Sequence, residues 1–349
     1  MPPSCKLMGI KNVVGEGWQK GSLIHHWNCP MSFPKTVCCL PILLACLGAS
    51  CERAQDDDEP DYPLPKLVAH RGGTADRPEN TLVAIESALR QRADMIWLSV
   101  QTSLDGVPVL YRPSDLSSLT NGSGKVADFS AATLATLNAG WSFAEMGSDG
   151  VKRYPYRDSP VGIPTLQQAL RAIPANVPII LDMKSMPASA QTAAVAAVLD
   201  AESAWSRVLI YSTEADYQNT FAAWPRARLA EARDVTRRRL VSATLGQRCD
   251  APSVSGVWAG FEMRRNVDVV ETFTLGEGHS PVQAVLWTKA SVHCYRSKVS
   301  ANLVAFGVND QADYCEAKRL GLDAVMVDSP EKMAGIRTQV ETNPASCNQ

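Results

Sequence analysis

The stretch Leu67-Val68-Ala69-His70-Arg71-Gly72-Gly73 reads as a short apolar strand that ends in two basic residues and a glycine pair. Pro78-Glu79-Asn80-Thr81 then opens a helix through about Gln91, with Pro, an acidic residue and a hydroxyl side chain at its start. Strand, tight turn and helix make one β-α unit. From Lys66 onward the same alternation recurs, the pattern of repeated β-α units around a parallel sheet. The predicted strands are Leu67 to His70, Met95 to Gln101, Pro178 to Lys184, Val208 to Ser212, Arg228 to Glu231, Val257 to Phe261, Leu303 to Val308 and Ala324 to Asp328. The segment Val282 to Thr288 competes with Val257 to Phe261 for the sixth place. Thr165 caps a helix through Ala172, and the Ala-rich run Ala188 to Leu199 makes another. Between the second strand and Pro164 lies a long excursion, whose Asp105-Gly106 turn predicts a small hairpin over Thr102 to Arg112.

The chain has 349 residues, of which 45% are hydrophobic and 20% charged, enough for one barrel or two smaller domains. Val37 to Ala49 is apolar, follows Lys35 and is too short to span a bilayer as a mature helix, so residues 1–51 read as an export segment. Met31 would give that signal a conventional length, which makes residues 1–30 an over-extended start. Leu43-Leu44-Ala45-Cys46 and Gly48-Ala49-Ser50-Cys51 both resemble the lipobox of bacterial lipoproteins, so a plain cleaved signal and a lipid anchor stay open. Residues 52–65 are acidic and Pro-containing, the composition of a linker; the barrel is assigned to 66–340 and a tail to 341–349. The expected location is therefore outside the cytoplasm of a bacterium, in the periplasm or on a membrane as a lipoprotein.

The formal net charge of -2 becomes more negative once the segment carrying Lys6, Lys11, Lys20, Lys35 and Glu16 is removed, which disfavours a nucleic-acid partner. Cys249, Cys294, Cys315 and Cys347 allow three disulfide pairings or free thiols, and none has the spacing of a zinc site.

His70-Arg71-Gly72-Gly73 with Pro78-Glu79-Asn80-Thr81 resembles the opening motif of the glycerophosphodiester phosphodiesterase family. Leu104-Asp105-Gly106-Val107-Pro108-Val109, Ile163-Pro164-Thr165-Leu166, Leu181-Asp182-Met183-Lys184 and Leu320-Gly321-Leu322-Asp323 with Val327-Asp328-Ser329-Pro330 extend the resemblance across the domain. It implies a TIM-type (β/α)8 barrel with a small insertion after the second strand, and hydrolysis of small-molecule phosphodiesters drawn from phospholipid head groups. In such barrels the reacting groups project from the C-terminal ends of the strands. His70 and Arg71 are then the catalytic candidates, with His70 supplying acid-base chemistry. Lys184, Arg112 and Trp97 are candidates for binding the phosphate and substrate, and Glu79 and Asp182 for holding a metal or orienting the site.

The pattern also breaks. The family places two carboxylates after the second strand where this chain has Trp97 and Ser99, and a second histidine where it has Arg112. The resemblance implies a divalent cation, calcium or magnesium, yet Asp182 with Glu79 is a poor set for a hard ion that takes several oxygen ligands. Arg112 beside Trp97 would make the pocket more cationic and more aromatic. His279, in the loop Gly276 to Pro281, is the second-choice histidine, because His293 falls in a helix. Trp258, Phe261, Glu262 and Trp287 are read either as pocket lining at late strand ends or as core, and Asp328 as a cap for the final helix. Two functions compete: a phosphodiester hydrolase, and a non-catalytic phosphodiester-binding barrel that has lost the metal site. A cyclising reaction like that of relatives resembling spider-venom sphingomyelinase D is a remote third.

Overall fold

Among the described residues eight barrel strands alternate with eight helices, the helix after the second strand coming only after an insertion. The computed structural model describes residues 61–348, so the export segment, the start-codon question and the linker up to residue 60 lie outside the described residues. The barrel strands are β1 (Lys66–Ala69), β2 (Met95–Thr102), β3 (Ile179–Met183), β4 (Val208–Tyr211), β5 (Arg228–Leu229), β6 (Val257–Glu262), β7 (Ala301–Phe306) and β8 (Ala324–Val327). The helices that follow them are α1 (Leu82–Arg90), α2 (Leu166–Ala172), α3 (Ala188–Ala201), α4 (Asp216–Thr220), α5 (Arg233–Thr244), α6 (Lys289–Arg296), α7 (Gln311–Arg319) and α8 (Pro330–Thr342).

The strands run in the order β5-β4-β3-β2-β1-β8-β7-β6, every neighbouring pair parallel. At the seam between β5 and β6 the Glu231 N–H donates to the Trp258 carbonyl at 2.7 Å, so the parallel barrel is nearly closed. Val257–Glu262 is the sixth strand; the competing segment at 282–288 is not in the barrel sheet. The predicted hairpin is present, with Pro108–Leu110 antiparallel to the end of β2. It opens an insertion that carries its own small core around Val109, Tyr111, Leu116 and Ile163.

Side-chain alternation along the strands sorts the sequence into two cores. Val68, Trp97, Ile180, Tyr211, Phe306 and Met326 share one cluster inside the barrel. The alternate residues, such as Leu98, Leu181 and Ile210, face the helices. The helices start where the hydroxyl signals place them: Thr81 accepts from the Ala84 N–H, and Thr165 forms a reciprocal capping box with Gln168.

Two disulfides, Cys249–Cys294 and Cys315–Cys347, settle which of the three pairings is used. The second ties the turn Pro344–Asn348, beyond α8, back to α7. At the other end, Tyr62 lies against Gly321, and the Tyr314 hydroxyl donates to the Pro65 carbonyl at 3.1 Å. Replacing Cys315 and Cys347 together by serine is expected to lower unfolding stability by about 3 kcal/mol, because a cross-link closing a loop of this length restrains the unfolded chain. Urea unfolding of the oxidised parent and of the variant measures this.

A separate unit spans Asn266–Val282, within the antiparallel strands Arg265–Phe273 and Gly276–Ala284. There His279 Nδ1 lies 2.5 Å from Asp268 Oδ2, and this carboxylate raises the His279 pKa. His279 is thus on a strand rather than in the expected loop, already engaged by its own ribbon.

Candidate active site

His70 directly follows β1, in a turn that bends sharply. Arg71, Gly72 and Gly73 all have left-handed φ, at 52°, 83° and 106°. A Cβ on Gly72 would lie 2.9 Å from the Ala84 Cβ of α1, and one on Gly73 2.9 Å from Pro330 Cδ of α8. The two glycines therefore let the turn fit between the first and last helices, beside the C-terminal end of β8. There His70 Nδ1 meets Asp328 Oδ1 at 2.6 Å. The carboxylate is itself fixed: Asn309 Nδ2 donates to Oδ2 at 2.8 Å, and the Thr74 hydroxyl to Oδ1 at 3.0 Å. The hydrogen bond from the imidazole outweighs partial burial and holds the Asp328 carboxyl down at about 2. This corrects the expected role of Asp328. The cap of α8 is Ser329, whose side chain accepts from the Lys332 N–H.

Two more charge pairs sit after β1 and at the end of β3, on either side of β2. Arg71 Nη1 lies 2.7 Å from Glu79 Oε2, both side chains mostly buried. Lys184 Nζ lies 2.8 Å from Asp182 Oδ1, a charge contact rather than a well-directed hydrogen bond, since that oxygen has no hydrogen-bond partner. The Ser99 hydroxyl donates to Asp182 Oδ2 at 3.2 Å, and the Ser99 N–H to Asn80 Oδ1 at 2.9 Å. Asp182 is almost fully buried, and desolvation raises its pKa against the pull of Lys184, Ser99 and Arg71. His70, Arg71, Glu79, Asp182 and Lys184 thus gather at one rim, through residues that follow β1 or end β3.

Trp97 points into the barrel. Its ring is 4.8 Å from Tyr211, 5.3 Å from Phe306 and 6.5 Å from His70, so it makes an aromatic floor beneath the histidine. Arg112 is exposed, and no hydrogen bond or ion pair holds it among the described residues. It follows the hairpin strand Pro108–Leu110, next to Tyr111, whose N–H donates to the Ser99 carbonyl of β2 at 3.1 Å.

Of the late-strand residues, only Glu262 reaches the mouth. Trp258 lies near the start of β6 and lines a cavity of about 300 Å³ with Lys66, Asp94 and Arg228 at the opposite end. Phe261 and Trp287 belong to the core between barrel and helices, where the indole N–H donates to the Phe261 carbonyl. His293 is exposed on α6. Sequence reasoning missed Arg233 and Tyr211. Arg233 Nη2 lies 2.5 Å from Glu262 Oε1, and its Nη1 donates to the Tyr211 hydroxyl at 3.3 Å. Tyr211 closes β4 and Arg233 opens α5, and no contiguous motif marks either residue.

The glycerophosphoryl diester phosphodiesterase family profile matches residues 70–332, from the histidine of the opening motif into α8. The chain belongs to this family. An uncharacterised Mycobacterium tuberculosis protein, Rv2277c, is 46% identical over 294 residues, covering 82% of this chain and 95% of that one. The crystal structure of the glycerophosphoryl diester phosphodiesterase domain of Rv2277c has a TM-score of 0.74 and 45% identity, covering 79% of this chain and all of that one. The Bacillus subtilis glycerophosphodiester phosphodiesterase is 34% identical over 122 residues, 34% of this chain and 39% of that one. An Oleispira antarctica phosphodiesterase crystallised with its product sn-glycerol-3-phosphate shares the fold, with a TM-score of 0.55 and 21% identity over 80% of this chain and 97% of that one.

The family's divalent cation does not fit the donor set of this member. No group of three or more His, Cys, Asp or Glu side chains is placed to hold a metal among the described residues. Glu79 and Asp182 are each already in contact with a cation of the chain, and Trp97 and Ser99 bring one indole and one hydroxyl where carboxylates were expected. Arg71 and Lys184 supply the positive charge at this rim.

Proposed function

We propose that this chain is a phosphoric diester hydrolase acting on glycerophosphodiesters or related phospholipid head-group diesters, with His70 as its acid-base residue. The observation that carries the proposal is the 2.6 Å contact between His70 Nδ1 and Asp328. A carboxylate on one ring nitrogen fixes the orientation of the imidazole and leaves Nε2 for substrate. Arg71 and Lys184 then receive the phosphate: the guanidinium grips two oxygens, while the ammonium acts as a point charge. A water oxygen bonds to phosphorus as the bond from phosphorus to the departing alcohol breaks. The imidazolium of His70 gives its Nε2 proton to the alkoxide; of the two protons of the attacking water, one stays on the phosphate monoester and the other restores the imidazolium.

Turnover by purified protein of glycerophosphocholine and of a chromogenic diester, bis(p-nitrophenyl) phosphate, tests the proposal. Activity is expected to persist in EDTA within twofold, because the positive charge comes from the chain itself. A tenfold loss restored by calcium or magnesium would overturn the metal-free reading and leave the hydrolase reading standing. The replacement of two expected carboxylates by Trp97 and Ser99 favours a second reading, a binding barrel without turnover. Thermal stabilisation by glycerophosphocholine without hydrolysis under any condition would select it.

The proposed site of action is outside the bacterial cytoplasm, with the protein in the periplasm or held to a membrane by an N-terminal lipid. Two disulfides support this, since such bonds persist in oxidising compartments. Among the described residues no helix is long and apolar enough to cross a membrane.

A further inference from the structure

The mouth of the barrel carries a second polar cluster, away from the phosphate-facing groups on β1, β3 and β8. It is built from Tyr211 at the end of β4, Arg233 at the start of α5 and Glu262 at the end of β6. Contacts link it to the histidine: the Trp97 ring lies 6.5 Å from His70 and 4.8 Å from Tyr211, whose hydroxyl accepts from Arg233. A diester held at His70 would place one of its two alcohol portions along this aromatic floor, toward Arg233.

Several polar atoms here are buried and unpaired. Glu262 Oε2 is an acceptor with no hydrogen-bond partner, and Trp97 Nε1–H is a donor with none, on a side chain that is 4% exposed. The Tyr211 hydroxyl accepts from Arg233, but its own hydrogen has no acceptor among the described residues. Buried groups of this kind require a partner that both donates and accepts. An alcohol hydroxyl does both, and a quaternary ammonium does neither.

Charge points the same way. Aromatic rings such as Trp97, Tyr211 and Phe306 can hold a quaternary ammonium by cation–π attraction. Here Arg233 adds a fixed positive charge beside them, and the nearby carboxylate is not free to offset an incoming cation. Glu262 Oε1 is shared by Arg233 at 2.5 Å and Arg265 at 2.9 Å. The Arg233 guanidinium is held further by the Phe261 ring, 4.7 Å from its carbon.

We infer that Arg233, Tyr211 and Glu262, with the Trp97 indole, form the alcohol subsite of this enzyme and select a polyol group over a quaternary-amine head group. The inference rests on the hydrolase reading only in that the diester docks at His70. Arg233 and Glu262 act as specificity-determining residues, taking the vicinal hydroxyls of a cyclic polyol, the portion in which the inositol and choline diesters differ, as a donor and acceptor pair.

The test compares glycerophosphoinositol with glycerophosphocholine on the full chain, by kcat/KM and, independently of turnover, by calorimetric Kd on His70→Ala. The expected result is a preference of at least tenfold for the inositol diester in both measurements, carried by KM. In Glu262→Gln and Tyr211→Phe the preference should fall below threefold. These two substitutions remove a charge or a hydroxyl with little change of shape, so the test does not depend on a large-to-small variant folding. Equal use of the two diesters, a preference for choline, or an unchanged ratio in both variants would overturn the subsite. Absence of turnover with the Kd preference intact would remove the hydrolase reading and leave the subsite standing.

Discussion

His70→Ala is expected to lower kcat/KM for glycerophosphocholine by about a thousandfold, within the range that a positioned general acid contributes. Of the other described histidines, His279 is engaged by Asp268 in its own ribbon, and His293 is exposed on α6. The effect should fall on kcat more than on KM, because Arg71 and Lys184 remain to bind the diester. Asp328 keeps its bonds from Asn309 and Thr74 in the variant, so the fold should survive, with a melting temperature within a few degrees of the parent. Turnover within threefold of the parent would remove His70 from the chemistry.

Asp328→Asn is expected to lower kcat by about a hundredfold with KM little changed. Asparagine fills the same space but withdraws the charge that stabilises the imidazolium, and it permits the wrong ring orientation. A second readout separates this electrostatic role from packing. Asp328 has its carboxyl at about 2 in the folded chain against an ordinary 3.8, mainly because of the imidazole. A depressed carboxyl contributes stability that is fully present above its unfolded value and is lost as pH falls through the folded value. The difference in melting temperature between parent and Asp328→Asn should therefore shrink as pH falls from 4 to 2. A difference independent of pH across that window would assign Asp328 to packing alone.

The position of His70 was legible in the sequence because its cause is local. A short apolar run, a glycine pair and a capping threonine fix strand, turn and helix within fifteen residues. The same holds for Thr165, which caps its helix where the sequence places it. Asp328 was misread because two competing local signals, an aspartate and a serine before Pro330, both suit a helix start, and only the closing of β8 against β1 decides between them. Tyr211 and Arg233 lack any motif. Their place in the mouth depends on β4 and β5 ending level with β1, a matter of barrel register that no stretch of contiguous residues encodes.

The sequence by itself determined the repeated β-α order, the helix starts, the opening motif and the loss of two expected carboxylates, all set by near-neighbour chemistry. The tertiary structure alone decided that Asp328 holds the histidine, that Arg71 and Lys184 engage the remaining carboxylates, that the four cysteines pair as two bonds, and that Tyr211, Arg233 and Glu262 share one rim. Each of these joins residues far apart along the chain. Such contacts arise from strand register around a nearly closed sheet, where a shift of one residue would turn every side chain to the other face.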